Sequence, residues 1–174
     1  MSDSTGSDYG DILVAVRNLI KALPSSLGLP SVGELRDTPI LFEGETPPII
    51  LVCSAASEGE RMKRISWNAG VVDPKDPTTQ SGKQGTVVWS YPVLVVLIVP
   101  GNRLPETVLM PFLAMRQALR NAIFRPRLGD VASCFDIQIN PKAVADLAAT
   151  LQSNYRVTGF LLHYDSQEEQ TWIV

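Results

Sequence analysis

Seven consecutive aliphatic residues, Val93 to Val99, run between Pro92 and Pro100. A stretch this apolar and this rich in β-branched side chains has no polar side to offer water, so it reads as a central strand buried on both faces. With its flanking prolines, the run from Pro92 to Pro100 reaches only about half of the roughly 20 residues that a membrane-spanning helix needs. The signal extends back to Thr86 through Val87, Val88, Trp89 and Tyr91. Pro92 brings no N–H to a ladder, which predicts a bulge, a bend or an edge at that point.

Other strands gather around this one. Ile49 to Ser54 is apolar on both faces and belongs inside a sheet. Pro39 to Glu43 reads as a short strand whose leading proline suits an edge or a first strand position. Phe135, Ile137 and Ile139 alternate with Asp136, Gln138 and Asn140, the pattern of a half-buried strand. Tyr155 to Tyr164 is a further strand, antiparallel to Phe135–Asn140 or to Thr86–Val99. Glu60 to Trp67 carries the basic trio Arg61, Lys63 and Arg64 and reads as a strand or a short helix.

Helical spacing appears in three places. Ile12, Leu13, Val16, Leu19, Ile20 and Leu23 share one face, with Asp8 or Asp11 to cap the start and Pro24 and Gly28 to end it. Val108, Leu109, Phe112, Leu113, Arg116, Leu119, Ala122 and Ile123 define a second long helix, in which Pro105 suits the first turn and Pro111 costs a hydrogen bond. Asn140-Pro141 reads as an N-cap and first-turn pair for a short helix through Val144, Leu147, Ala148 and Leu151. Strands outnumber helices and do not alternate strictly with them. The predicted class is therefore α+β, a mixed, mainly antiparallel sheet with two long helices and one short helix packed on it.

The chain divides into a flexible N-terminus over 1–10, one domain over 11–166 and a C-terminal tail over 167–174. Residues 68–85 form a long polar loop with no apolar period, and loops beyond about 12–15 residues are usually functional or disordered. At 174 residues the chain can bury about 70% of its unfolded surface and needs neither metal nor disulfide to hold a core. Fifteen basic against 18 acidic side chains give a net charge of −3, and the pI near 5.1 argues against a dedicated nucleic-acid binder. Cys53 and Cys134 both sit in apolar runs and read as buried reduced thiols. With no basic and apolar leader in MSDSTGSDYG, the expectation is a soluble protein kept in a reducing compartment.

Catalytic motifs fail one by one. His163, the only histidine, lies in the strand pattern FLLHYD with no nucleophile or metal ligand at usable spacing. HExxH, CxxC and GxSxG do not occur. SGKQG lacks the earlier glycine and the following Ser or Thr of a phosphate-binding loop. The close carboxylate pairs Glu43/Glu45, Glu58/Glu60, Asp73/Asp76 and Glu168/Glu169 lie in polar connectors or the tail, where nothing desolvates them. No enzyme activity, no metal and no cofactor is expected.

Three features suit contact with partners. Arg116, Arg120, Arg125 and Arg127 fall within twelve residues free of acid, and Arg116 and Arg120 share a helical face. They either complement the helix dipole or face a phosphate backbone or an acidic surface. The end TWIV offers Trp172, Ile173 and Val174, which fold back on the core or add a strand to a neighbour's sheet. The 68–85 loop, with Lys75 and Lys83, orders on a neighbour or stays mobile.

The element order resembles that of the tail-terminator, or tail-completion, proteins of long-tailed bacteriophages. An amphipathic helix, DILVAVRNLIKAL, is followed by a sheet ending in YPVLVVLIVPGN, a helix LMPFLAMRQALRNAIF and the late strands CFDIQINP and YRVTGFLLHYDSQE. The resemblance covers roughly residues 10–166 and is carried by order and length; Pro111 departs from it. It implies a structural virion protein of the tail or neck, made in the host cytoplasm. Six copies form a ring that caps the tail tube and meets the head connector. Its implied partners are itself, the tail tube protein and the connector, with at most transient, non-specific contact to DNA in the lumen and none to a membrane. If Arg116 and Arg120 face that lumen, acidic neighbours dilute them so that DNA is not trapped. Another head–tail connector or head-completion component, or a cytosolic assembly adaptor outside the virion, are the alternatives.

Overall fold

The computed structural model describes residues 8–23, 25–55, 60–67, 83–101, 106–124, 128, 131, 134–142 and 155–172. It is α+β, with a mixed sheet and two helices. Helix α1 spans Asp8–Lys21, strand β1 Ser31–Val32, β2 Ile49–Cys53, β3 Arg61–Trp67, β4 Lys83–Pro100, helix α2 Glu106–Ile123, β5 Cys134–Lys142 and β6 Tyr155–Trp172. The sheet runs β1-β2-β4-β6-β5, with β3 also on β4. Only β1 and β2 pair parallel; the remaining four pairs are antiparallel.

β4 is the axis, as its aliphatic run predicts. It pairs with β6 over their whole length, from Lys83↔Trp172 to Pro100↔Tyr155. On its other side two strands lie end to end: β2 covers Leu94–Ile98 and β3 covers Gly85–Ser90. Pro92 falls in the gap between them, so the ladder loses nothing to its missing N–H. Of the three outcomes that Pro92 predicts, a local edge is the one found. The Tyr9 hydroxyl donates to the Pro92 carbonyl in that gap, and the Tyr9 ring stacks on Tyr91 with centroids 5.0 Å apart.

Alternation splits the apolar residues between two faces. Tyr91, Val93, Val95 and Leu97 join Ile50, Val52, Phe160, Leu162 and Tyr164 beneath the helices. Ile12, Ala15, Val16 and Ile20 of α1 and Phe112, Leu119 and Ile123 of α2 close that core. On the far face Leu51, Cys53, Val96 and Ile98 form a second cluster with Leu41 against it. Both clusters together explain why the Val93–Val99 run carries no polar side chain. Pro111 lies within α2 and is exposed.

Several boundaries differ from the sequence reading. Pro39–Glu43 is not a strand; the backbone bonds to β2 on that side come from Gly33 and Arg36, which donate to Ile50 O and Val52 O. The nearby pair Ser31–Val32 takes the strand position instead. β5 continues through Asn140-Pro141-Lys142, paired to Leu161, Phe160 and Gly159, so Asn140-Pro141 does not open a helix. The short helix expected beyond, over Val144–Leu151, lies outside the described residues. α1 already includes Asp8–Gly10, and β6 extends to Trp172, which draws residues 167–172 into the sheet rather than into a tail. Residues 68–82 of the expected loop lie outside the described residues, whereas Lys83–Gly85 belong to β4. No described helix is long and apolar enough to cross a membrane.

Candidate interaction surfaces

The flank beyond β2 is built around one buried cation. Arg36 is drawn inward because its backbone bridges to Cys53 and its N–H donates to Val52 O. Its side chain is 2% exposed. Four donations satisfy it: Nε to Glu34 O at 3.0 Å, Nη1 to Ile40 O at 2.6 Å and to Glu45 Oε2 at 2.8 Å, and Nη2 to Glu45 Oε1 at 2.6 Å. The fork geometry of guanidinium matches the carboxylate edge, which makes this pair both strong and directional. Glu45 Oε2 also accepts from Phe42 N at 2.9 Å, so one carboxylate ties both ends of the 36–45 loop. Gly33 lies beside this pair, and a Cβ there would come within 2.8 Å of both Arg36 Nη2 and Glu45 Oε1. Sequence reading placed Glu43/Glu45 among solvated surface carboxylates; Glu45 is instead held by Arg36.

The clamp sets what the loop shows to solvent. Phe42 lies over the Arg36 guanidinium, 4.1 Å from charge centre to ring centroid, with its outer side open. Ile40 beside it is 64% exposed. Glu34, Asp37 and Glu43 are exposed around these two apolar side chains. The result is an acidic, apolar-tipped surface braced by the Arg36–Glu45 pair.

Arg36 holds the Glu45 carboxyl down at about 2, against an ordinary value of 4.5. The unfolded chain therefore binds that proton more tightly than the folded one. Stability from the clamp is fully present above about pH 5 and drains away as pH falls from 4.5 toward 2. Urea midpoints measured between pH 6 and pH 3 are expected to fall more steeply for the native protein than for Glu45→Gln. Parallel curves contradict this account of the clamp. Nearby, burial pushes the Cys53 thiol up to about 11, so it stays protonated as the reading of a buried reduced thiol requires.

The opposite flank belongs to α2. Its inner face turns Phe112, Leu119 and Ile123 to the core. Arg116 follows them inward: Nε donates to Thr158 Oγ1 at 3.1 Å, and the guanidinium lies 5.5 Å from the Phe160 centroid. Arg156 reaches back over Phe112 in the same way. Arg116 and Arg120 thus do not form a free strip. Arg116 is packed on β6, while Arg120 stays exposed and, among the described residues, makes only a 3.5 Å contact to Asn121. Arg125 and Arg127 lie outside the described residues. Outward, Met110 and Phe124 are 60% and 59% exposed, and Leu113 lies between them. Leu113, Arg116, Gln117 and Arg120 line an open groove of about 250 Å³.

A third surface is the distal half of the sheet, where β3, β4 and the end of β6 continue past the gap at Pro92. Every side chain from Arg61 to Ile65 is exposed. The register shift between Met62 and Arg64 inserts Lys63, so Arg61 and Arg64, opposite Ser90 and Val88, share a face. Lys63 crosses β4 to Asp165 Oδ2 at 2.7 Å. Trp172 and Lys83 pair with each other at the far end of β6 and β4. Lys75, Ile173 and Val174 lie outside the described residues. His163 sits within the sheet between Pro92 and Gln138. Among the described residues no group of three His, Cys, Asp or Glu side chains is placed to hold a metal.

These surfaces were partly hidden from sequence reading. Arg120 was found by its helical spacing, but the acidic loop was not, because Ile40 and Phe42 read as strand residues. The nine-residue spacing of Arg36 and Glu45 gives no periodic signal. No protein-family model matches the chain, and no curated protein matches it.

Proposed function

We propose that the protein is a structural component of a bacteriophage tail or neck, and that it assembles into a ring capping the tail tube where the tube meets the head connector. The observation that carries this reading is the pair of unlike exposed patches on opposite flanks of one sheet. One is acidic and tipped by Ile40 and Phe42; the other is α2, with Met110, Leu113, Phe124 and Arg120. A closed ring built head-to-tail needs two different surfaces on each subunit, whereas a two-fold dimer needs one self-complementary surface. Isolated exposed apolar residues need no explanation, but grouped ones beside a charge of one sign mark contact sites.

On this reading the protein works by shape and docking. Labelled antibody against the chain, applied to intact particles, is expected to decorate the head-proximal end of the tail. Label only on assembly intermediates favours a non-virion adaptor and contradicts the proposal.

A further inference from the structure

We propose that the 36–45 loop of one copy docks into the α2 groove of the next. The inference rests on the ring reading and names its contact. α2 lies over the Arg156–Phe160 end of β6, on the β6–β5 side of the sheet. The loop borders β2, on the β1–β2 side. Both patches are exposed and lie on opposite sides of β4, so they do not meet within one subunit, and a contact between them joins two subunits head-to-tail.

The chemistry of the two faces is complementary. The loop tip offers Ile40, Phe42 and the carboxylate of Glu43, all exposed. The groove is lined by Leu113, Arg116 and Gln117, and Arg120, which also lines it, is a cation with no carboxylate partner among the described residues. An aromatic side chain seated in such a groove, with a charge pair at its edge, is the usual anatomy of a specific contact. A phosphate backbone would meet Arg120 but has nothing for Met110, Leu113 or Phe124, so a protein occupant fits this face better than DNA.

The loop is also pre-organised. The Arg36–Glu45 fork fixes the backbone carbonyl of Ile40 and the amide of Phe42 before any neighbour arrives. Little ordering entropy remains to be lost on docking.

Charge exchange tests the pairing. Native mass spectrometry of the full chain is compared for wild type, Arg120→Glu, Glu43→Lys and the double variant, with circular dichroism confirming that each is folded. Both residues are exposed, so the fold is expected to survive. Each single variant is expected to need at least about tenfold more protein to assemble, because it sets like charges against each other. The double variant is expected to return to the wild-type assembly. Singles that assemble as the wild type does overturn this contact and leave the ring reading intact. Loss in the singles without rescue in the double assigns Arg120 to another surface and also overturns it. A wild type that stays monomeric removes the ring reading itself.

Discussion

Glu45→Gln is expected to destabilise the protein by about 3–5 kcal/mol, the cost of breaking a buried ion pair and leaving one charge uncompensated. The stranded group is Arg36, whose guanidinium keeps its backbone partners Glu34 O and Ile40 O but exchanges the two-oxygen carboxylate for a neutral amide with a single acceptor. Water cannot replace the lost acceptor readily, since the side chain is 2% exposed. At roughly 2–4 °C per kcal/mol for a domain of this size, the midpoint should fall by about 6–20 °C. Arg36→Met is the informative companion. It strands the Glu45 carboxylate instead, but that group is 17% exposed and keeps the Phe42 amide as a donor, so the smaller loss belongs to Arg36→Met if burial of the charge is the cost. Thermal denaturation of both variants decides the order. Equal and small shifts would show that the clamp contributes little, and the braced loop on which docking depends would lose its basis.

Phe160→Ala is expected to cost a comparable 3–5 kcal/mol by a different route. Phe160 is fully buried on the helix side of β6, where Arg116 from α2 lies over its ring. Truncation opens a cavity at the junction of α2 and the sheet, and the neighbouring strands cannot collapse into it because β4 and β5 hold β6 on both sides. Arg116 also loses the aromatic face beneath it while keeping Thr158. The expected signature is therefore both a lower urea midpoint and a loosened α2, read as faster amide exchange along Phe112–Ile123. A lower midpoint with α2 exchange unchanged would mean that Phe160 supports the sheet alone.

The contrast between these two sites shows what local pattern can and cannot convey. Phe160 lies in FLLHY, an apolar strand in the sequence as in the fold. The same is true of Val93–Val99 and of both long helices, because each buries a face whose period is written in consecutive residues. The far end of β6 is different. SQEEQ has no apolar period, and it is a strand because β4 offers it an uninterrupted ladder from Lys83 to Ser90. Pairing, not burial, sets that boundary. Asn140-Pro141 carries the local chemistry of a helix start, yet β6 supplies a ladder there too. At Arg36 the decisive partner is nine residues away across an irregular loop, so neither helical nor strand spacing exposes it. Arg116 and Arg120 share a helical face by spacing alone, but only the position of β6 separates the packed one from the exposed one.

The proposed function requires this chain to close head-to-tail on copies of itself. The most direct measurement is the mass of the purified full chain under native conditions, followed over rising concentration and imaged in negative stain. A single closed species of six copies with a central opening is the expected result. A monomer at every concentration, or a two-fold dimer that grows no further, would contradict it.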